Sequence, residues 1–303
     1  MLITVLAPRC VGERVVEPPS LAIPMPPSRP PKRTGDPNVA ALLTWFLPGA
    51  GHLYIGRTLV GVLGFAVVWG LYWLGLELSD GMGFEFLNKE LRGPFAPALA
   101  PELGNLSGLL WQSRTFGFGP GYPRVFPDTV HLGTMCTACS GILNLFLMVK
   151  AHSDARRLEE PGLGQLPVST ACLFGWLVPG GGHFAQGRRM RAVVVFVMLT
   201  GLLILGTWLS EASNLDRERH FYYWGGQLMG GLPAIGLEQV WGHPEVRHEI
   251  KYAEAGLVLA CLAGLLNILA ILDVYSWGEA RALDGMGDKS TSRRSAPAKE
   301  ASA

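Results

Sequence analysis

Two segments decide the fold, PGAGHLYIGR at Pro48–Arg57 and PGGGHFAQGR at Pro179–Arg188. The two histidines give an offset of 183 − 52 = 131, and every other matched residue keeps it. The matched turn residues are Pro48, Gly49, Gly51, His52, Gly56, Arg57, Pro179, Gly180, Gly182, His183, Gly187 and Arg188. The same offset continues into the apolar residues that follow each segment, which indicates an internal duplication.

A second pair of matched segments extends the duplication toward the C-terminus. GILN at Gly141–Asn144 pairs with GLLN at Gly264–Asn267, at an offset of 267 − 144 = 123. Each copy therefore reads as a short helix, a P-G-x-G-H turn, a membrane span, a long loop and a second span.

The composition is that of a membrane protein. Hydrophobic residues make up 49% of the chain and charged residues 16%, against about 25% charged in soluble domains. A spanning helix needs about 20 mostly apolar residues, and uncharged runs predict spans at 58–76, 132–149, 192–209 and 255–272. Two shorter apolar stretches, Val39–Leu47 and Thr170–Val178, each stop at a proline. They predict an interfacial or re-entrant helix before each copy.

These elements predict an all-α membrane protein built from two two-helix repeats of parallel topology. Repeat 1 covers 38–160 with an outer loop at 78–131, and repeat 2 covers 168–283 with an outer loop at 210–254. A Pro-rich tail over 1–37 and a polar tail over 284–303 are expected to be disordered. Because each repeat has an even number of spans, both enter the membrane from the same side, and we expect a pseudo-two-fold axis along the membrane normal.

Charge predicts the orientation in the membrane and argues against nucleic acid as a partner. Arginines such as Arg57, Arg157 and Arg188 collect at the span ends beside the turns. Cytoplasmic flanks are rich in Arg and Lys, so both termini are expected in the cytoplasm of a cell with the protein in its inner membrane. The net charge of +1 does not favour nucleic acid as a partner.

The paired histidines leave two interpretations open. In the first, each imidazole of His52 and His183 hydrogen-bonds backbone groups of its own turn. In the second, the pair binds a metal or haem, or titrates near neutral pH. No Cys, Asp or Glu recurs close to both turns in sequence, so we expect no metal and no cofactor.

Asn144 and Asn267 lie at matched positions inside the second span of each repeat. An amide in hydrocarbon usually hydrogen-bonds a neighbouring helix, and Gly141 and Gly264 would let such a helix come close. The alternative is a ligand site near the membrane midplane. We expect these four residues to serve helix packing.

The first turn, LPGAGHLYIGR, and its Gly-rich span resemble the two-transmembrane-helix domain family, which carries a G-x-G-x-H-x-F-Y-x-G-type turn. Tyr54 fits that pattern, whereas Ala185 and Gln186 replace the aromatic in the second turn. The tandem form also looks like uncharacterised bacterial four-span proteins with two such turns. The resemblance implies a membrane location and the duplication, and it transfers no catalytic residues.

The expected function follows from a chain that is rich in turn and packing motifs. We expect a non-enzymatic structural, scaffolding or interaction component of the membrane, with the lipid bilayer and other membrane proteins as partners. The alternative is a small-molecule, lipid or metal/haem site between the two repeats, including a transport role.

Overall fold

The computed structural model describes residues 35–82, 100–116, 125–156, 166–217, 219–242 and 248–294, with side chains of the last helix described to 284. The described residues belong to one compact unit, Thr34–Ala303. Most of the predicted N-terminal tail lies outside them.

Within these ranges every regular element is helical. Repeat 1 contains α1 (Pro37–Phe46), α2 (Ala50–Tyr54), α3 (Thr58–Leu78), a 3-10 turn (Pro101–Gly104), α4 (Leu106–Phe116) and α5 (Val130–Ala155). Repeat 2 contains α6 (Val168–Leu177), α7 (Gly181–Ala185), α8 (Arg189–Leu209), a 3-10 turn (Ser213–Leu215), α9 (Phe221–Leu228), α10 (Leu232–Trp241) and α11 (Ala253–Arg294).

Four of these helices are long and apolar enough to cross a membrane: α3, α5, α8 and α11 over Ala253–Asp284. This agrees with the predicted all-helical protein with four spans. The second span is longer than the sequence suggested, because α5 continues through Lys150 and Asp154. α11 also continues to Arg294, where a disordered tail was expected from 284; no proline interrupts the helix there.

The first helix begins where the N-terminal tail was expected to end. The Asp36 carboxylate accepts hydrogen bonds from the backbone N–H groups of Asn38 at 2.8 Å and Val39 at 3.1 Å. Pro37 occupies the first turn, a position that needs no N–H donor. The cap therefore fixes the start of α1 at Pro37.

α1 and α2 form a re-entrant hairpin against α5. Ala40 packs with Ala151 and Ala155 near the end of α5, and Thr44 meets Asn144 in the middle of α5. The chain then reverses at Gly49, whose φ of 81° favours glycine. α6 and α7 repeat this hairpin, with Gly180 at a φ of 81°. We call the end of the bundle that carries both hairpins the turn face, and the opposite end the loop face.

A second re-entrant segment enters each repeat from the loop face. In repeat 1 the turn at Pro101–Gly104 lies against Gly141 in the middle of α5. α4 then returns along α3, with Trp69 Nε1 donating to Ser107 Oγ at 3.1 Å. In repeat 2, α9 descends to Gly264 and α10 returns. The segments predicted as outer loops therefore contain helices that reach the middle of the bundle.

The two repeats point the same way. Arg156, at the turn-face end of α5, pairs with Glu279 on α11. At the other end, Arg217 Nη1 of repeat 2 donates to the Thr134 carbonyl near the start of α5 at 2.9 Å. The matched turns therefore lie on one face, as the parallel topology predicts.

The contact between the repeats is not reciprocal. Met135, Ala138 and Ile142 on α5 pack against Trp176 and Leu228 of repeat 2. Two of the three matched positions of α11, Val258 and Leu265, remain exposed, at 48% and 46%. A two-fold axis requires the same surface on both partners, so the expected central pseudo-two-fold axis is wrong.

Candidate functional site

An asparagine amide joins the two re-entrant segments of each repeat. Asn144 Nδ2 donates to the carbonyl of Thr44 at 3.0 Å and to that of Gly104 at 2.8 Å. In repeat 2, Asn267 Nδ2 donates to the carbonyls of Gly175 at 3.0 Å and Met229 at 2.9 Å. Both asparagines are fully buried. Each amide thus ties a segment from the turn face to a segment from the loop face.

The proline of each turn explains why an amide is needed. In a continuing helix, the Thr44 carbonyl would accept from the residue four positions later, which is Pro48 and has no N–H. The Gly175 carbonyl faces Pro179 in the same way. A buried carbonyl without a donor is costly, and the asparagine supplies that donor. The sequence contained both signals, but not the link between them.

Glycines let the segments come close enough for these bonds. A Cβ on Gly141 would overlap the carbonyl of Pro101, and one on Gly264 would overlap the carbonyl of Gly226. The offset between those partners is 226 − 101 = 125, so the loop-face segments also match between the repeats. The packing role expected of the Gly and Asn residues fits these contacts.

A matched tryptophan adds a further tie in each repeat. Trp45 Nε1 donates to the Leu103 carbonyl at 2.8 Å, and Trp176 Nε1 donates to the Leu228 carbonyl at 3.3 Å. Each indole thus links the end of the turn-face helix to the loop-face segment. The tryptophans matched at the offset of 131, but their partners were not foreseen.

At the turn face of repeat 1, His52 belongs to a buried ionic cluster. Its Nε2 lies 3.6 Å from Asp154 Oδ2. The same carboxylate is 2.8 Å from Arg57 Nη1 and 3.6 Å from Lys150 Nζ. Neither ring nitrogen of His52 has a hydrogen-bond partner among the described residues. The first interpretation, a hydrogen bond from this imidazole to the backbone of its own turn, is therefore wrong for His52, because the ring faces a carboxylate on α5.

Repeat 2 builds a similar cluster from a different position. His183 Nε2 lies 3.1 Å from Asp273 Oδ2, and Arg188 pairs with the same carboxylate. Asp154 follows its asparagine by 154 − 144 = 10 residues, and Asp273 by 273 − 267 = 6. The two carboxylates thus differ by about one helical turn. The two aspartates therefore do not align at the offset of 123 that matches the asparagines.

The electrostatics of the turns favour neutral histidine. Burial, assisted by Lys150 and Arg57, lowers the pKa of His52 to about 4. Burial, then the nearby Arg188, also lowers the pKa of His183. The cations beside each aspartate would repel a metal ion. Among the described residues, no three His, Cys, Asp or Glu side chains are grouped so that they could hold a metal ion.

A second charged cluster lies between the repeats, toward the loop face. Arg217 Nη2 of repeat 2 is 2.7 Å from Glu102 Oε1 of repeat 1, and both side chains are buried. Thr137 Oγ1 donates to the same carboxylate oxygen at 3.0 Å. The guanidinium lies 4.5 Å from the Trp224 ring. Sequence analysis missed this pair, because 115 residues separate its members and no motif marks either one.

Glu238 joins this cluster by accepting a hydrogen bond from the Trp224 indole. Trp224 Nε1 donates to Glu238 Oε2 at 2.7 Å, and the carboxyl is buried on α10. Burial raises the pKa of Glu238 to about 7. The site between the repeats thus holds one fixed ion pair and one carboxyl that titrates near neutral pH.

Comparison with known proteins places the chain in a family. The model of the Family of unknown function (DUF6677) matches residues 39–161 and again residues 170–286. The chain belongs to this family. Each match of DUF6677 starts in a turn-face helix and runs past the second span, which confirms the tandem duplication. The family found is not the two-transmembrane-helix domain family that the first turn resembles. No curated protein and no solved structure matches the chain.

Proposed function

We propose that the protein is a non-enzymatic structural or interaction component of a bacterial inner membrane, with both termini in the cytoplasm. The observation that carries this proposal is that the polar residues repeated in both halves make structural hydrogen bonds. The asparagines and tryptophans are engaged with backbone carbonyls of re-entrant segments. They rigidify a scaffold whose spanning helices α3, α8 and α11 expose many large apolar side chains.

That apolar surface is the part offered to lipid and to other membrane proteins. On α8 the exposed side chains include Val193, Val197, Met198 and Trp208. In a bilayer such surfaces meet acyl chains or a packed helix. A scaffold of this kind works through binding and has no chemical step.

The orientation is supported by charge at the turn face. Arg57 at the start of α3 and Arg188, Arg189 and Arg191 at the start of α8 lie there, and cytoplasmic flanks collect arginine. Single cysteines in a cysteine-free background test this. Val125→Cys lies before α5 at the loop face. It should react with a membrane-impermeant maleimide in cells whose outer membrane is permeabilised and whose inner membrane is intact. Arg189→Cys should react only after the membrane is opened, and the reverse pattern would overturn the orientation.

Photo-crosslinking in intact membranes tests the interaction role. A photoreactive amino acid at exposed Val197 should give discrete protein adducts, whereas the same group at buried Leu203 is the matched control and should give none. Turnover of a lipid or peptide by the purified protein alone, lost in a buried-site variant such as Glu102→Gln, would overturn the proposal.

The second candidate is a ligand-binding protein with its site between the repeats. The buried pair of Glu102 and Arg217 favours it, since ionisable groups inside membrane proteins usually serve function. Glu102 Oε2 and Arg217 Nε have no hydrogen-bond partner among the described residues. Native mass spectrometry separates the candidates: a stoichiometric small-molecule mass lost in Arg217→Met would support the second one.

A further inference from the structure

The contact between the repeats joins two surfaces of different kind. The first, which we call the ridge, is a stripe on α5 and comprises Met135, Ala138, Cys139, Ile142 and Phe146. The second, which we call the platform, lies on repeat 2 and comprises Leu173, Trp176, Leu177, Trp224 and Leu228. Phe146 and Trp176 have ring centroids 5.8 Å apart. Aromatic anchors of this kind are typical of strong interfaces.

Repeat 2 carries a matched ridge of its own, and most of it is left uncovered by the residues that the structure describes. At the offset of 123, the matched positions on α11 are Val258, Cys261, Leu262, Leu265 and Leu269. All five are apolar, as on α5. Leu265 is 46% exposed and Leu269 is 60% exposed, whereas Ile142 is 1% exposed. The stripe that is buried in repeat 1 is therefore largely exposed in repeat 2, except at Cys261, which is partly buried beside Gly226 of α9.

Repeat 1 carries an open platform in the same way. At the offset of 131, Leu173, Trp176 and Leu177 match Leu42, Trp45 and Phe46. Leu42 and Phe46 are half-exposed on α1, and Trp45 is partly exposed where the matched Trp176 is buried. The Trp45 indole is already oriented by its bond to the Leu103 carbonyl, as Trp176 is by its bond to Leu228. The platform is thus preformed before any partner arrives.

We propose that copies of this chain assemble head to tail in the membrane plane. The α11 ridge of one copy packs on the α1 platform of the next, and it repeats the contact that already joins repeat 1 to repeat 2. This rests on the proposed interaction role and names a second copy as the partner. One chain carries both complementary surfaces, so the contact is heterologous, and it builds a closed ring or an open row.

A second copy fits better than lipid alone because the contact already exists within the chain. The interface between the repeats shows that this ridge and this platform pack side by side. Small residues favour close helix approach in membranes, and Cys261 on α11 takes the place of Ala138 on α5. Lipid and a symmetric dimer are the competing occupants, and each gives a different result in the test.

Disulfide crosslinking between two tagged chains tests the proposal. All native cysteines are first replaced by Ala. Chains with Leu42→Cys and chains with Leu265→Cys carry different tags, are co-expressed and are oxidised in native membranes. The expected product is the mixed disulfide dimer. Its yield should be several-fold above the yield obtained when chains with Met198→Cys, an exposed control position on α8, replace either partner. A single chain carrying both cysteines should form a ladder of higher species.

Two results would overturn the proposal. If Leu265→Cys chains link mainly to each other, α11 forms a symmetric dimer. If neither variant exceeds the Met198→Cys control, lipid covers both surfaces. All three positions are exposed in the monomer, so none of the cysteine substitutions should disturb the fold. Monodisperse elution of each variant in detergent checks this. A negative result here leaves the Val197 photo-crosslinking test of the interaction role untouched, so the two failures are distinguishable.

Discussion

The two repeats solve the same structural problem with different electrostatics. Both use an asparagine to join their re-entrant segments, with nearly equal distances. At the turn face, however, the Asp154 side chain is fully buried beside His52, whereas the Asp273 side chain is 49% exposed beside His183. Between the repeats, Glu102 holds a buried arginine, whereas the matched residue of repeat 2 is the neutral Gln227 (227 − 102 = 125). The backbone plan is duplicated, but its charges are not.

The largest expected effect contrasts Glu102 with Gln227. Glu102→Gln keeps the shape but leaves the buried Arg217 without its carboxylate, which should cost about 3 kcal/mol of unfolding free energy. Gln227→Ala removes neutral hydrogen bonds with Asn214 and should cost about 1–2 kcal/mol. Reversible unfolding in mixed detergent micelles measures both.

The double variant Glu102→Gln/Arg217→Met sharpens this contrast. Removing both charges should restore part of the loss seen in Glu102→Gln, since a buried pair replaced by neutral residues is often tolerated. A double variant whose loss of stability equals or exceeds the sum of the two single losses would show that the pair is not coupled as described.

The asparagine junctions should behave alike in the two repeats. Asn144→Leu and Asn267→Leu each leave two buried carbonyls without their donor. A buried unsatisfied carbonyl costs about 1–3 kcal/mol, but leucine also removes a buried amide oxygen that has no hydrogen-bond partner among the described residues. We therefore expect a similar net loss of about 2 kcal/mol at both sites. Leu145→Ala, at a partly exposed neighbour on α5, is the matched control with a smaller effect. A clear difference between the two asparagine variants would contradict the equivalence of the junctions.

Much of this architecture could be predicted from local sequence. Apolar runs gave the four spans, and matched motifs gave the duplication, because both signals lie within short segments. The link between Asn144 and Thr44, and the pair of Glu102 and Arg217, depend on how distant segments pack. Asp154 and Asp273 lie on the second span of each repeat, but not at matched positions. Their proximity to His52 and His183 therefore becomes visible only in the folded structure. The one-way contact of the repeats likewise has no signature in the repeat offsets.

The aspartates at the turn face should differ in weight. Asp154→Ala removes a buried carboxylate that faces Arg57, Lys150 and His52. We expect a loss of about 2 kcal/mol, below the value for a fully buried pair, because Arg57 is partly exposed and can reach water. Asp273→Ala should cost less than about 1 kcal/mol, since exposed pairs contribute little. Chemical unfolding of the two variants side by side decides this, and a larger loss for Asp273→Ala would reverse our ranking of the clusters.

The smallest expected effect is a pH dependence that comes from His52. Its pKa is about 4 in the folded protein against the ordinary value of 6.5. The unfolded chain therefore binds a proton that the folded chain does not, so stability is full above pH 6.5 and falls as the pH drops toward 4. Between pH 7.5 and 5.5 the expected loss is about 1 kcal/mol, read as a lower melting temperature in detergent. His52→Gln should flatten this part of the profile, while His183→Gln should change it less because that ring faces a half-exposed carboxylate. An unchanged profile in His52→Gln would mean that other groups titrate, and that the buried histidine of repeat 1 does not distinguish the repeats in this way.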